Sequence, residues 1–107
     1  MTDRLRIGIL FGGRSGEHEV SLVSARSVIE TIDPQKYQIT EIGITKNGDW
    51  LVGEDVLEVL SSHQTDQLHQ AVVLPIPSRP YLYRIAQEKA RECLEVIAEL
   101  DILFPVL

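Results

Sequence analysis

Residues Leu5 to Phe11 read Leu-Arg-Ile-Gly-Ile-Leu-Phe, and Gly12-Gly13 follows at once. After Arg6 the run has no polar alternation, so neither face suits water. That is the signature of a strand covered on both faces, as in a parallel sheet. The glycine pair stops the strand and permits backbone conformations that other residues resist. Ser15-Gly16 then offers helix-start chemistry, with Glu17 and Glu19 near the positive end of the coming helix dipole.

From about Glu19 to Thr31 the spacing predicts a helix. Ser21, Ser24, Ala25, Val28 and Ile32 fall three or four apart and form a small-residue face suited to close packing on a sheet. Asp33-Pro34 ends it, because proline biases its predecessor away from helical dihedrals. Tyr37 to Thr45 alternates and is rich in β-branched residues, which predicts a second strand. Asn47-Gly48 is a hairpin turn, with Trp50-Leu51-Val52 as the return strand. Asp55 to Leu60 suits a short helix. The prolines at 75, 77 and 80 predict an irregular excursion over about 55–84, with one short strand at 71–74. Helical spacing returns between Ile85 and Leu100, through Ala86, Ala90, Cys93, Leu94, Ile97 and Leu100. Ile102 to Leu107 reads as a buried strand. Ending on such a run, without a polar tail, suggests that more chain follows.

This order of elements predicts an α/β fold, a three-layer domain whose mostly parallel sheet is flanked by helices. The 107 residues make one domain, large enough to bury a core without disulfides. The single cysteine, Cys93, excludes an intramolecular disulfide and fits a reducing compartment. No apolar run nears the roughly 20 residues a membrane helix needs, and the amino terminus does not read as a signal peptide. A net charge of −6 and scattered basic residues argue against nucleic acid and anionic membranes as partners. The expected location is the cytoplasm.

The chemistry concentrates between Gly12 and Ser21, where the first strand hands over to the first helix. Ligands of open α/β sheets bind outside the carboxyl ends of strands. A Walker A loop needs Gly-Lys-Ser/Thr, which is missing, and Gly12, Gly13 and Gly16 do not match the dinucleotide spacing. Backbone N–H groups here can still bind an anion, but Glu17 and Glu19 would repel phosphate. Carboxylates at this position suit an ammonium group better, which points to an amine or amino acid.

Gly12-Gly13-Arg14-Ser15-Gly16-Glu17-His18-Glu19-Val20-Ser21, with the strand before it, closely resembles the opening of D-alanine–D-alanine ligases. The resemblance continues through Ile32-Asp33-Pro34, through Ile42-Gly43-Ile44 and Lys46-Asn47-Gly48-Asp49-Trp50, and through Asp101 to Val106. It is weak between about Asp55 and Ala90, as for a variable insertion. It implies the Rossmann-like, amino-terminal substrate-binding domain (residues 1–107) of a longer ATP-grasp ligase. Such ligases phosphorylate one D-alanine to an acyl phosphate, which a second D-alanine attacks to give a dipeptide for peptidoglycan. The resemblance implies that Glu17 binds the ammonium of the first D-alanine and that Val20 and Ser21 lie beside that pocket. Gly12, Gly13, Ser15 and Gly16 would shape the loop. ATP, Mg2+ and their ligands would belong to later domains, so this chain alone would be inactive and holds no metal. A homodimer of the complete enzyme is a further implication. The second substrate, D-alanine, D-lactate or D-serine, stays open.

Other residues read more simply. Glu19 suits capping or an ion pair with Arg14 or Arg26, His18 a packing or solvent role, and Arg14 a solvated loop charge. Ser21 and Ser24 lack a histidine–acid partner and fit a packing face better than nucleophilic catalysis. Cys93 and Trp50 read as packing residues, and His63 and His69 lack the company a zinc site needs. Two alternatives remain beside the ligase: the front domain of a different ATP-grasp enzyme, and a non-catalytic binding module.

Overall fold

The structure, a computed structural model, describes residues 4–13 and 18–106. Strand β1 (Leu5–Gly12) leads to helix α1 (His18–Thr31), then β2 (Tyr37–Ile44), β3 (Trp50–Val52) and α2 (Val56–Ser62). A single 3-10 turn (Thr65–Gln67) precedes β4 (His69–Val73), β5 (Tyr81–Glu88), β6 (Arg91–Glu99) and β7 (Ile102–Val106). These strands form one sheet of seven in the order β6-β5-β4-β3-β2-β1-β7.

The sheet has two characters. β1 pairs in parallel with β2, Leu5 opposite Tyr37 through Gly12 opposite Ile44, and in parallel with β7, Ile7 opposite Ile102 through Phe11 opposite Val106. Every other pairing, from β2·β3 to β5·β6, is antiparallel. The expected mostly parallel sheet is therefore corrected to a mixed, mostly antiparallel one.

β1 is buried on both faces, as its composition requires. Ile7, Ile9 and Phe11 point to one side and pack with Leu22 and Ala25 of α1 and Val56, Leu57 and Leu60 of α2. Leu10 points to the other, into a cluster with Ile42, Ile44, Val52, Leu82 and Leu100. Both helices thus share one face, and the sheet's own antiparallel half closes the other, so the expected three-layer arrangement does not form. Gly8 makes this closure possible: a Cβ there would lie 3.0 Å from both Leu100 and Leu103. Leu22 takes the place expected for Ser24, which is exposed.

α1 ends where Asp33 accepts the Gln35 N–H at 2.9 Å, the local turn that an Asp-Pro pair favours. The start of α2 is capped from a distance: Glu41 on β2 accepts the Leu57 N–H at 2.9 Å. Arg26 of α1 meets Glu58 of α2 at 2.6 Å rather than Glu19. Within the excursion over 55–84 the expected short helix and short strand form as α2 and β4, and the start of β5 adds regular structure beyond them.

The largest departure lies between Ile85 and Leu100, where a helix is expected and a hairpin forms. Lys89 and Ala90 both take positive φ, 50° and 65°, and turn the chain in two residues. Opposite charges then face each other across the strands, Glu88 against Arg91 and Arg84 against Glu95, the latter pair 2.7 Å apart. Such cross-strand pairs support a sheet as i,i+4 pairs support a helix. Cys93 is accordingly half-buried on an edge strand and not in a helical core. β7 is an edge strand too, paired only with β1 among the described residues; Ile102, Leu103 and Phe104 stay 39–47% exposed, which corrects the expected buried strand.

Arg6 joins β1 to the β6–β7 connection. Its guanidinium reaches Glu99 at 2.9 Å and Asp101 at 3.1 Å, and its backbone N–H reaches Asp101 at 2.8 Å. These bonds hold the Asp101 carboxyl below the usual carboxylate range. No helix among the described residues is long and apolar enough to cross a membrane.

Two outcomes test these features. Ala90→Gly should stabilise the chain by about 1 kcal/mol in urea unfolding, because a left-handed alanine is strained; in a helix the same change would cost about as much. A depressed folded-state pKa means that Asp101 stabilises the fold above about pH 4 and loses that contribution as pH falls through its folded value. The stability gap between the wild type and Asp101→Asn should therefore close on acidification below pH 4, and a constant gap would place the effect elsewhere.

Candidate functional site

The site forms at the carboxyl ends of β1, β2 and β7, beside the first turn of α1. Gly12 and Gly13 have φ of 93° and 108°. A Cβ on Gly12 would come within 2.3 Å of the Ile44 carbonyl oxygen, so the position takes no other residue without a backbone shift. This tight bend lets Gly13 donate its N–H to the Ile44 oxygen at 2.9 Å, tying the end of β1 to the end of β2.

Ser21 completes the connection to β7. Its hydroxyl accepts the Gly12 N–H at 2.8 Å and donates to the Val106 carbonyl. The side chain is buried, and one hydroxyl joins α1 to two strand ends. His18, the first residue of α1, is only 3% exposed. Its Nδ1 lies 2.8 Å from the Gly13 carbonyl oxygen. With Thr45, Lys46, Asn47, Asp49 and His63, the ring borders a cleft of about 340 Å³ between α1 and the β2–β3 turn.

The structure thus brings together Gly12, Gly13 and Ser21 from the sequence-based set. Val20 lies next to them in α1 and is 59% exposed. Arg14, Ser15, Gly16 and Glu17 lie outside the described residues. The family resemblance implies a place for Ser21 beside substrate; the structure adds a bracing role for its hydroxyl. For His18 the sequence favours a packing or solvent role, and the structure adds a specific partner. A lone histidine in a helix start carries no sequence signal for a carbonyl five residues earlier. Among the described residues, no three His, Cys, Asp or Glu side chains converge to hold a metal ion. His69 instead accepts a bond from Arg84 at 3.2 Å, on the far half of the sheet.

A glycine-ended parallel strand that feeds a helix at the carboxyl edge of the sheet defines an α/β binding domain of the kind that places ligands at strand ends. Comparison with known proteins makes this specific. The family model described as D-ala D-ala ligase N-terminus matches residues 6–107, and the chain belongs to that family. It is 46% identical to the D-alanine–D-alanine ligase of Natranaerobius thermophilus and 36% identical to that of Caldicellulosiruptor bescii, each alignment covering 97% of this chain and 27% of the relative. The chain thus spans about a quarter of the length of these curated relatives. Among solved structures, the VanG D-Ala:D-Ser ligase of Enterococcus faecalis superposes with a TM-score of 0.76 at 31% identity, over 96% of this chain and 29% of that one. The D-alanine–D-alanine ligase of Coxiella burnetii shares the fold, with a TM-score of 0.70 at 24% identity.

Replacing Ser21 with alanine strands the buried Gly12 N–H and the Val106 carbonyl. The expected cost is about 1–3 kcal/mol in denaturant unfolding; a variant as stable as the wild type would show that the hydroxyl carries no such bridge.

Proposed function

We propose that this chain is the amino-terminal, D-alanine-binding domain of a D-alanine–D-alanine ligase, which joins two D-amino acids in an ATP-dependent reaction through an acyl phosphate. The observation that carries this reading is the family match over residues 6–107, with Gly12, Gly13 and Ser21 at the carboxyl edge of the sheet. The product would serve peptidoglycan synthesis in the cytoplasm, and the complete enzyme would be a homodimer.

ATP supplies the phosphoryl group that activates the first carboxylate. In this reading ATP and Mg2+ bind in the rest of the enzyme, as the family resemblance implies, and this domain alone is inactive. Its own contribution is to hold an amino acid. Glu17 pairs with the ammonium of the first D-alanine, a charge-assisted contact that fixes orientation, and it transfers no proton. Val20 and Ser21 adjoin it. Gly12 and Gly13, with Ser15 and Gly16, shape the approach. Orientation of this kind lowers the entropic barrier to the reaction between substrates already bound. The identity of the second substrate rests with residues outside this domain; the similarity to a D-Ala:D-Ser ligase makes D-serine the first alternative to compare.

The test is ADP release by the complete protein with D-alanine, L-alanine or no amino acid, and with D-serine or D-lactate beside D-alanine. Release that needs D-alanine is expected, and Glu17→Gln should weaken use of the first D-alanine by about tenfold or more, the scale of a lost charge-assisted bond. ATP binding without release on any D-amino acid would move the protein to a different ATP-grasp reaction.

A further inference from the structure

The His18 ring is polar yet almost wholly buried, and its environment explains why. A carbonyl oxygen only accepts, so the 2.8 Å contact with Gly13 requires that Nδ1 carry the proton and donate it. The partner is held firmly, because the Gly13 N–H is itself bonded to the Ile44 carbonyl at 2.9 Å. The ring also depends on the glycine beside it: its Cε1 would lie 3.1 Å from a Cβ on Gly12. One turn further along α1, Ser21 makes its own bond to Gly12. Together, the two side chains attach the first turn of the helix to consecutive residues at the end of β1.

From this geometry we infer that His18 is a positioning residue for the first D-alanine, acting through its Nδ1–H bond to the Gly13 carbonyl. The inference rests on the proposed ligase function. The bond sets where α1 begins relative to the carboxyl ends of β1 and β2. Glu17, the proposed ammonium partner, immediately precedes His18 in the chain, one peptide bond from the residue that this contact anchors. A binding group held by its own scaffold loses less freedom when substrate arrives. His18 touches no reacting atom in this scheme. Its loss acts on KM for the first D-alanine and leaves kcat at saturating substrate nearly unchanged.

Three substitutions in the complete enzyme separate this role from mere packing. An asparagine amide reaches the place of Nδ1, whereas a glutamine amide reaches the place of Nε2. His18→Asn should keep KM for the first D-alanine within about twofold of the wild type. His18→Gln and His18→Ala should both raise it roughly three- to tenfold, the scale of one neutral hydrogen bond. If His18 only fills space, glutamine, the better match in volume, rescues more than asparagine, and that ranking overturns the inference. A second readout needs no turnover: at pH 8, 15N shifts of the His18 ring in the complete protein should report a protonated Nδ1, and an unprotonated Nδ1 overturns the inference. Glu17→Gln, measured in parallel, keeps the two readings distinct. A normal KM in that variant removes Glu17 from the site, while wild-type behaviour of all three His18 variants beside an impaired Glu17→Gln removes only the role of His18.

Discussion

The organisation of this domain depends on the bend at Gly12-Gly13. Three strand ends and a helix start meet there, and each is bonded to this bend or to the Ser21 hydroxyl on it. The Gly13 N–H reaches β2, Ser21 links Gly12 to β7, and His18 returns to the Gly13 carbonyl. Buried backbone groups need partners, and a strand that stops inside a sheet leaves several without one. The glycines allow the chain to turn within two residues, so that short side chains from the first turn of α1 can supply those partners.

Around this point the sheet divides its work. The parallel part, β2-β1-β7, carries the candidate site and is backed by α1 and α2. The antiparallel part turns Leu82 and Leu100 against Leu10 and Ile42, closing the face that the helices leave bare. A second layer of helices is unnecessary because the sheet covers itself. The Arg6 bonds to Glu99 and Asp101 hold the two parts in register at the amino end of β1; being half-exposed and screened by water, they secure geometry more than stability.

The segments legible in the sequence were those whose patterns have one solution. The Leu5–Phe11 run is apolar on both faces and had to be a central strand. The Asp33-Pro34 stop, the Asn47-Gly48 hairpin and the handover at Gly12-Gly13 were legible for equally local reasons. Ile85 to Leu100 has two solutions. Its apolar and charged residues fit a helix at spacings of three and four, and they fit a hairpin once Lys89-Ala90 turns. Neither of those two residues is a usual left-handed turn former, so the turn left no trace in composition. The residues just before Ile85 carry the non-local contact: Leu82, Tyr83 and Arg84 pair with β4, and the same strand runs on to Glu88 as one arm of the hairpin, a continuation that no local pattern records.

By itself, the sequence determined the family, the central strand and the first helix, because each depends on residues adjacent in the chain. It also named Glu17, Val20 and Ser21 as the residues to consider. Only the tertiary structure decided that the sheet is mostly antiparallel, that both helices share one face, and that β7 is a half-exposed edge. The partners of His18 and Ser21 belong to that second group as well. The Gly13 carbonyl and the Val106 carbonyl lie 5 and 85 residues away along the chain, and what brings donor and acceptor together is the closing of the sheet around β1.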